Sequence, residues 1–84
     1  MKNIDLVRLQ EECAEVVQVI CKIKRFGIGN TEPGDRYNNK EKLIQEIADI
    51  QVCVENLKLD ETALATCRLL KRAKLERNKS KELL

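Results

Sequence analysis

The chain is 84 residues long, carries a formal net charge of +2, and is 43% hydrophobic and 36% charged. That length gives one small domain, and that balance excludes a disordered tail and a membrane-embedded chain. Acidic and basic residues are interleaved, whereas a nucleic-acid binder concentrates its positive charge, so nucleic acid is not the expected partner.

Only Phe26 and Tyr37 are aromatic, which leaves a core of Leu, Ile, Val, Ala and Cys. Such a core is marginal in so short a chain, and burial against a second copy is the usual remedy. No apolar run reaches the roughly 18 residues of a membrane span, and "MKNIDLVR" lacks the apolar region of a signal peptide. The four cysteines (Cys13, Cys21, Cys53, Cys67) form no CxxC pair and fall within predicted helices. They read as reduced core residues of a cytoplasmic protein.

The sequence predicts an all-α fold of three helices. The first spans about residues 4–26, with Asn3 or Asp5 as its cap and an apolar face of Leu6, Leu9, Cys13, Val16, Val17, Ile20 and Ile23. Gly27 is the expected C′ residue. Residues 27–38 then read as a loop, because "GIGNTEPGDRYNN" holds all three glycines and the only proline. The second helix spans about 39–57, opened by a capping box of Asn38 and Glu41. Leu43, Ile47, Ile50, Val54 and Leu57 form its stripe, which Ile44, Ala48 and Val52 widen beyond what one partner helix covers. Asp60 caps a third helix of about 61–78, with Leu64, Cys67, Leu70 and Leu75 inward and a polar end expected to fray.

Absences narrow the chemistry. There is no histidine, which removes imidazole acid–base catalysis and the usual zinc and copper sites. The only serine, Ser80, lies in a charged tail. Carboxylates remain, and they favour hard cations such as Mg²⁺ or Mn²⁺.

Those carboxylates are patterned. In "EECAE", Glu12 and Glu15 are three apart on one helix face, with Glu11 beside them; in "EIAD", Glu46 and Asp49 repeat the spacing. Surface ion pairing would set Lys or Arg four residues after each acid, yet Val16, Val19, Ile50 and Cys53 stand there. If the first two helices are antiparallel neighbours, the two pairs can face each other. Two such charges about 5 Å apart repel by about 3 kcal/mol at an effective dielectric of 20, so four need a cation or protons. The alternative is that each acid is a solvated charge beside an apolar stripe. Lys22 falls on nearly the same face as Glu15 two turns on, and Asn56 stands in the same relation to Asp49.

"EECAE" fits an EExxE motif, "EIAD" fits ExxD, and Asn56 falls where that pattern carries an asparagine. Together they resemble the MazG-like all-α nucleoside triphosphate pyrophosphohydrolases over roughly residues 9–57. "EECAEVVQVICKIKRFG" is further similar to small phage-encoded members. The resemblance implies a helical hairpin plus third helix, with a four-helix-bundle-type core completed in a homodimer or homotetramer. It implies Mg²⁺ held by Glu12, Glu15, Glu46 and Asp49, with Mn²⁺ as a substitute and Glu11 a lesser ligand or the residue orienting the attacking water. Glu11 and Glu12 are then the catalytic pair. Water attacks the α-phosphorus of a nucleoside triphosphate, giving a monophosphate and pyrophosphate; Lys22 and Arg25 contact phosphates, and Asn56 the sugar or base. The setting it implies is the cytoplasm of a bacterium or phage-infected cell. The span between the motifs is longer than is usual in the family, and no tryptophan is available to stack a base.

Two other readings remain: a non-catalytic helical dimeric interaction protein, and a nucleic-acid accessory factor using Arg68, Lys71, Arg72, Lys74 and Arg77. Mg²⁺ binding separates the first, and salt-sensitive nucleic-acid binding the second.

Overall fold

Local signals set the three helices. In the computed structural model, which describes residues 1–82, they are α1 (Asn3–Phe26), α2 (Asn39–Leu57) and α3 (Glu61–Glu82), and the described residues contain no strand. α1 stops at Gly27, whose φ of 95° is open to glycine and strained for other residues, and whose N–H donates to the Ile23 carbonyl at 2.8 Å. Lys24 and Arg25 occupy the last turn, where the helix dipole favours cations. At the other end the expected side-chain cap is absent: Lys2 is the N-cap residue and makes no capping bond, because Asn3 and Asp5 already lie inside the helix.

α2 opens with the capping box read from the sequence. The Asn38 side chain accepts from the Glu41 N–H at 2.8 Å, and Glu41 accepts from the Asn38 N–H at 3.2 Å. α2 ends at Lys58, a non-glycine residue in the left-handed region (φ 53°), and the Asp60 carboxylate then accepts from the Ala63 N–H at 2.9 Å to start α3. α3 runs to Glu82 rather than ending near residue 78. No glycine or proline interrupts it, Lys79 pairs with Glu76 at 3.6 Å, and Lys79 and Lys81 sit in its last turn.

α1 and α2 form an antiparallel hairpin, and α3 packs along neither. The molecule is accordingly flat, 45 × 44 × 15 Å. Three expectations change as a result. Cys67, Leu70 and Leu75 do not point inward; Leu70 and Leu75 are 63% and 53% exposed. The apolar face of α1 divides, with Leu9, Val16, Val19 and Ile23 turned toward α2 and Leu6, Val17 and Ile20 left exposed. The cysteines are reduced but are not core residues: Cys13, Cys21 and Cys67 are exposed and Cys53 is half-buried. A single seam between two helices covers only part of two wide apolar faces.

The best-buried side chain is polar. Asn39, at the start of α2, is fully buried and donates through Nδ2 to the Gly27 carbonyl at 2.9 Å, tying the two ends of the loop together. Its backbone N–H donates to the Asn30 carbonyl at 2.9 Å, and the Lys40 N–H to that of Ile28 at 2.9 Å. Asn39→Ala is expected to destabilise the protein by about 2 kcal/mol, since it removes the bond to the Gly27 carbonyl and leaves a void at a fully buried position. Asn38→Ala, which removes only the cap, is expected to cost about 1 kcal/mol. Urea denaturation of both variants at one protein concentration checks the order; equal losses would mean that the Asn39 side chain does not anchor the loop.

Candidate metal centre

Helical periodicity puts Glu12 and Glu15 on the α1 face that meets α2, and Glu46 and Asp49 on the α2 face that meets α1. The antiparallel seam brings the two pairs together, and one carboxylate oxygen of each residue lies within 4.8 Å of those of the other three. Glu12 and Glu46 are half-buried, while Glu15 and Asp49 stand at the solvent edge. Glu12 Oε2 and Glu46 Oε2 are shielded from water and have no hydrogen-bond partner. Among the described residues, none of the four acids forms an ion pair.

The electrostatic consequence is proton retention. Burial, followed by hydrogen bonding to and the charge of Glu15, pushes the Glu46 carboxyl up to about 7; Asp49 and Glu12 add to the shift. Glu12 is also raised, by burial first and then by the charges of Glu15 and Asp49. Two ionised carboxylates cannot donate to one another, so their close approach needs a shared proton or a cation. The nearby Cys53 thiol is held protonated by burial and by the charges of Glu12 and Asp49. It offers no thiolate to compete for a soft metal. Four oxygen donors, two of them orphaned, fit a hard divalent cation.

The other sequence-predicted residues separate. Glu11 is exposed on α1 and lies outside the set of four. Lys22 lines an open cleft of about 370 Å³ that includes Glu15 and Glu46. Arg25 does not line it; it borders a shallow hollow with Cys21 and Lys24. Ten residues past Glu15, it is rotated about 80° from that acid around the helix. Asn56 is exposed at the far end of α2. The helices are antiparallel, so seven residues beyond Glu15 and seven beyond Asp49 lead in opposite directions. Lys22 and Asn56 therefore flank the acids from opposite ends, about 25 Å apart along the hairpin.

Three charged cleft residues are absent from the sequence reading: Lys42, Glu32 and Asp35. Lys42 carried a signal, since it precedes Glu46 by one helical turn and so shares its face. Glu32 and Asp35 carried none, because a loop has no periodicity from which to read direction. Tyr37, one of the two aromatic residues, lies beside the Arg36 guanidinium, 5.7 Å from ring centroid to Cζ, and does not line the cleft. Among the described residues, no helix is long and apolar enough to cross a membrane. Comparison with family models, curated proteins and solved structures finds no match to this chain.

Proposed function

We propose that the protein is a Mg²⁺-dependent nucleoside triphosphate pyrophosphohydrolase, cleaving a (d)NTP with water into a (d)NMP and pyrophosphate. The observation that carries the reading is the convergence of Glu12, Glu15, Glu46 and Asp49 from two helices, with two orphaned oxygens and no cationic side chain among them. Such a group is costly to assemble unless it holds a cation or retains protons, and at neutral pH and above a cation takes over from the proton. The likeness of the EExxE, ExxD and asparagine pattern to MazG-like enzymes adds the reaction type.

Glu12, Glu15, Glu46 and Asp49 hold the ion. When bound, Mg²⁺ lowers the pKa of water and offsets charge on the triphosphate. Glu11, at the exposed edge of the same helix turn, is positioned to orient the attacking water. Lys22 draws the phosphate tail toward the loop end of the hairpin, which leaves the nucleoside directed toward Asn56. Arg25 is assigned a peripheral charge on the incoming phosphates. A second copy covers the exposed strip of Leu6, Val17 and Ile20 and completes a four-helix core, giving a homodimer or homotetramer.

The test is a panel of NTPs and dNTPs incubated with Mg²⁺, with products separated by ion exchange, beside Glu46→Ala and Asp49→Ala. Monophosphate and pyrophosphate are expected, with at least about a 100-fold loss in either variant, since removing even an outer-shell partner of a metal costs 10–100-fold. Diphosphate plus phosphate would reject attack at the α-phosphorus. One observation, the unpartnered apolar length of α3, favours a non-catalytic interaction protein instead. That reading predicts no turnover and no Mg²⁺ binding.

A further inference from the structure

The cleft beside the acids has a second wall of opposite charge. Lys22 Nζ lies 3.2 Å from Glu32 Oε1, and Lys42 Nζ bonds Asp35 Oδ2. The two lysines come from α1 and α2, and the two acids come from the loop between them. Bonding to Lys42 holds the Asp35 carboxyl below its usual range, and bonding to Asp35 holds the Lys42 ammonium above its own. The lysines therefore already have anionic partners in the cleft that runs on to Glu15 and Glu46.

We infer that Lys22 and Lys42 form a polyphosphate-holding wall of this cleft, and that Glu32 and Asp35 occupy it as a strap that the substrate's phosphate chain displaces. The inference deepens the proposed function and rests on it for the identity of the anion.

Three observations support it. The first is charge. With all groups ionised the cleft lining carries four carboxylates against two ammonium groups, a net −2 that repels a polyphosphate. Glu12 and Asp49, the two proposed metal ligands outside the lining, lower this to −4; binding one Mg²⁺ and withdrawing the two loop acids brings it to zero, which removes the repulsion. The second is attachment. Residues 28 and 30 are fixed to the start of α2 by backbone hydrogen bonds to Lys40 and Asn39. Between residues 31 and 37, the bonds to the rest of the described residues are the two ion pairs; the Asp35 N–H to Glu32 carbonyl bond is internal to the loop. The third is exchange. Ion pairs this exposed add little net stability, and a phosphate chain offers each lysine more oxygens and more charge than a carboxylate does. Opening the strap thus leaves the hairpin and its anchor at Asn39 intact.

The test uses the full chain and inorganic tripolyphosphate in excess Mg²⁺, titrated by calorimetry. Mn²⁺ binding is followed separately by electron paramagnetic resonance, and folding by circular dichroism. Glu32→Gln with Asp35→Asn is expected to bind tripolyphosphate about 10-fold tighter than the parent. Lys42→Gln is expected to bind it about 10-fold weaker in either background. Mn²⁺ affinity is expected to stay unchanged in every variant. No gain on neutralising the loop, or no loss with Lys42→Gln while Mn²⁺ still binds, overturns the inference. If the parent chain binds no Mn²⁺, the metal reading fails. The strap is then judged without metal: the loop variant binding tripolyphosphate, and losing it with Lys42→Gln, upholds the wall, and no binding overturns it too.

Discussion

Replacing Glu46 with glutamine is expected to stabilise the metal-free protein and to abolish its response to Mg²⁺. Glu46 is one of the two half-buried members of the acid cluster, and its carboxyl is raised to about 7 by burial and by its acidic neighbours. A folded-state pKa above the ordinary 4.5 means that the folded chain binds the proton more tightly than the unfolded chain. Stability is then fully present below about pH 4.5 and is lost as pH rises through about 7. Glutamine keeps the shape without the charge. A gain of about 1 kcal/mol at pH 8, discounted from the Coulomb repulsion for solvent screening, corresponds to a rise of about 4–8 °C in Tm for a domain of this size.

Mg²⁺ reverses the sign. It competes with the proton on Glu46, so the affinity of the parent chain for Mg²⁺ rises with pH and levels off above about 7. Thermal denaturation at pH 5.5 and pH 8, with and without Mg²⁺, checks both halves. The parent is expected to gain more from Mg²⁺ at pH 8, and Glu46→Gln to gain nothing at either pH. A variant less stable than the parent at pH 8 without metal would show that Glu46 is held by contacts other than those of the cluster.

A charge on the outer strip of α1 is expected to separate the copies and unfold them together. Among the described residues of one chain the buried apolar ones are Val19 and Leu57, a core too small for an independent domain. Val17 is 60% exposed and Ile20 43% exposed, on a strip that α2 does not cover. Covering it with the proposed second copy would supply the missing burial, at about 25 cal/mol for each Å² of apolar surface removed from water. Ile20→Asp is expected to shift sedimentation from dimer or larger to monomer and to lower far-UV helicity at micromolar concentration. Val17→Asp is expected to act in the same way. A parent chain that sediments as a cooperatively folding monomer would sink the proposal. The two effects are separable, because Glu46→Gln leaves the strip intact and Ile20→Asp leaves the acids intact.

Much of this molecule is legible residue by residue. Gly27 ends α1, the Asn38–Glu41 box opens α2 and Asp60 starts α3, each through bonds to backbone three or four residues away. The acid pairs are legible for the same reason: a spacing of three within a helix fixes a shared face, whatever the helix packs against. Arg25 shows how far that logic reaches. The resemblance gives it a phosphate contact along with Lys22, but the rotation that accumulates from Glu15 takes it off the cleft. Polar composition points to an end of α3 near residue 78, yet no residue there breaks a helix and α3 runs on to Glu82.

The sequence by itself determined an all-helical chain, the loop between the first two helices, and two acid pairs each facing one way. Only the tertiary structure decided that these pairs face each other, that Lys42 and the loop acids border them, that Cys13, Cys21 and Cys67 are exposed, and that α3 lies outside the hairpin seam. The physical reason is range. Caps and helical periodicity act over one or two turns, within reach of a sequence pattern. The rotation of one helix against another is chosen among apolar faces wider than the seam, and a loop's path is set by the long-range bonds of Asn39 and the lysines, which no local spacing encodes.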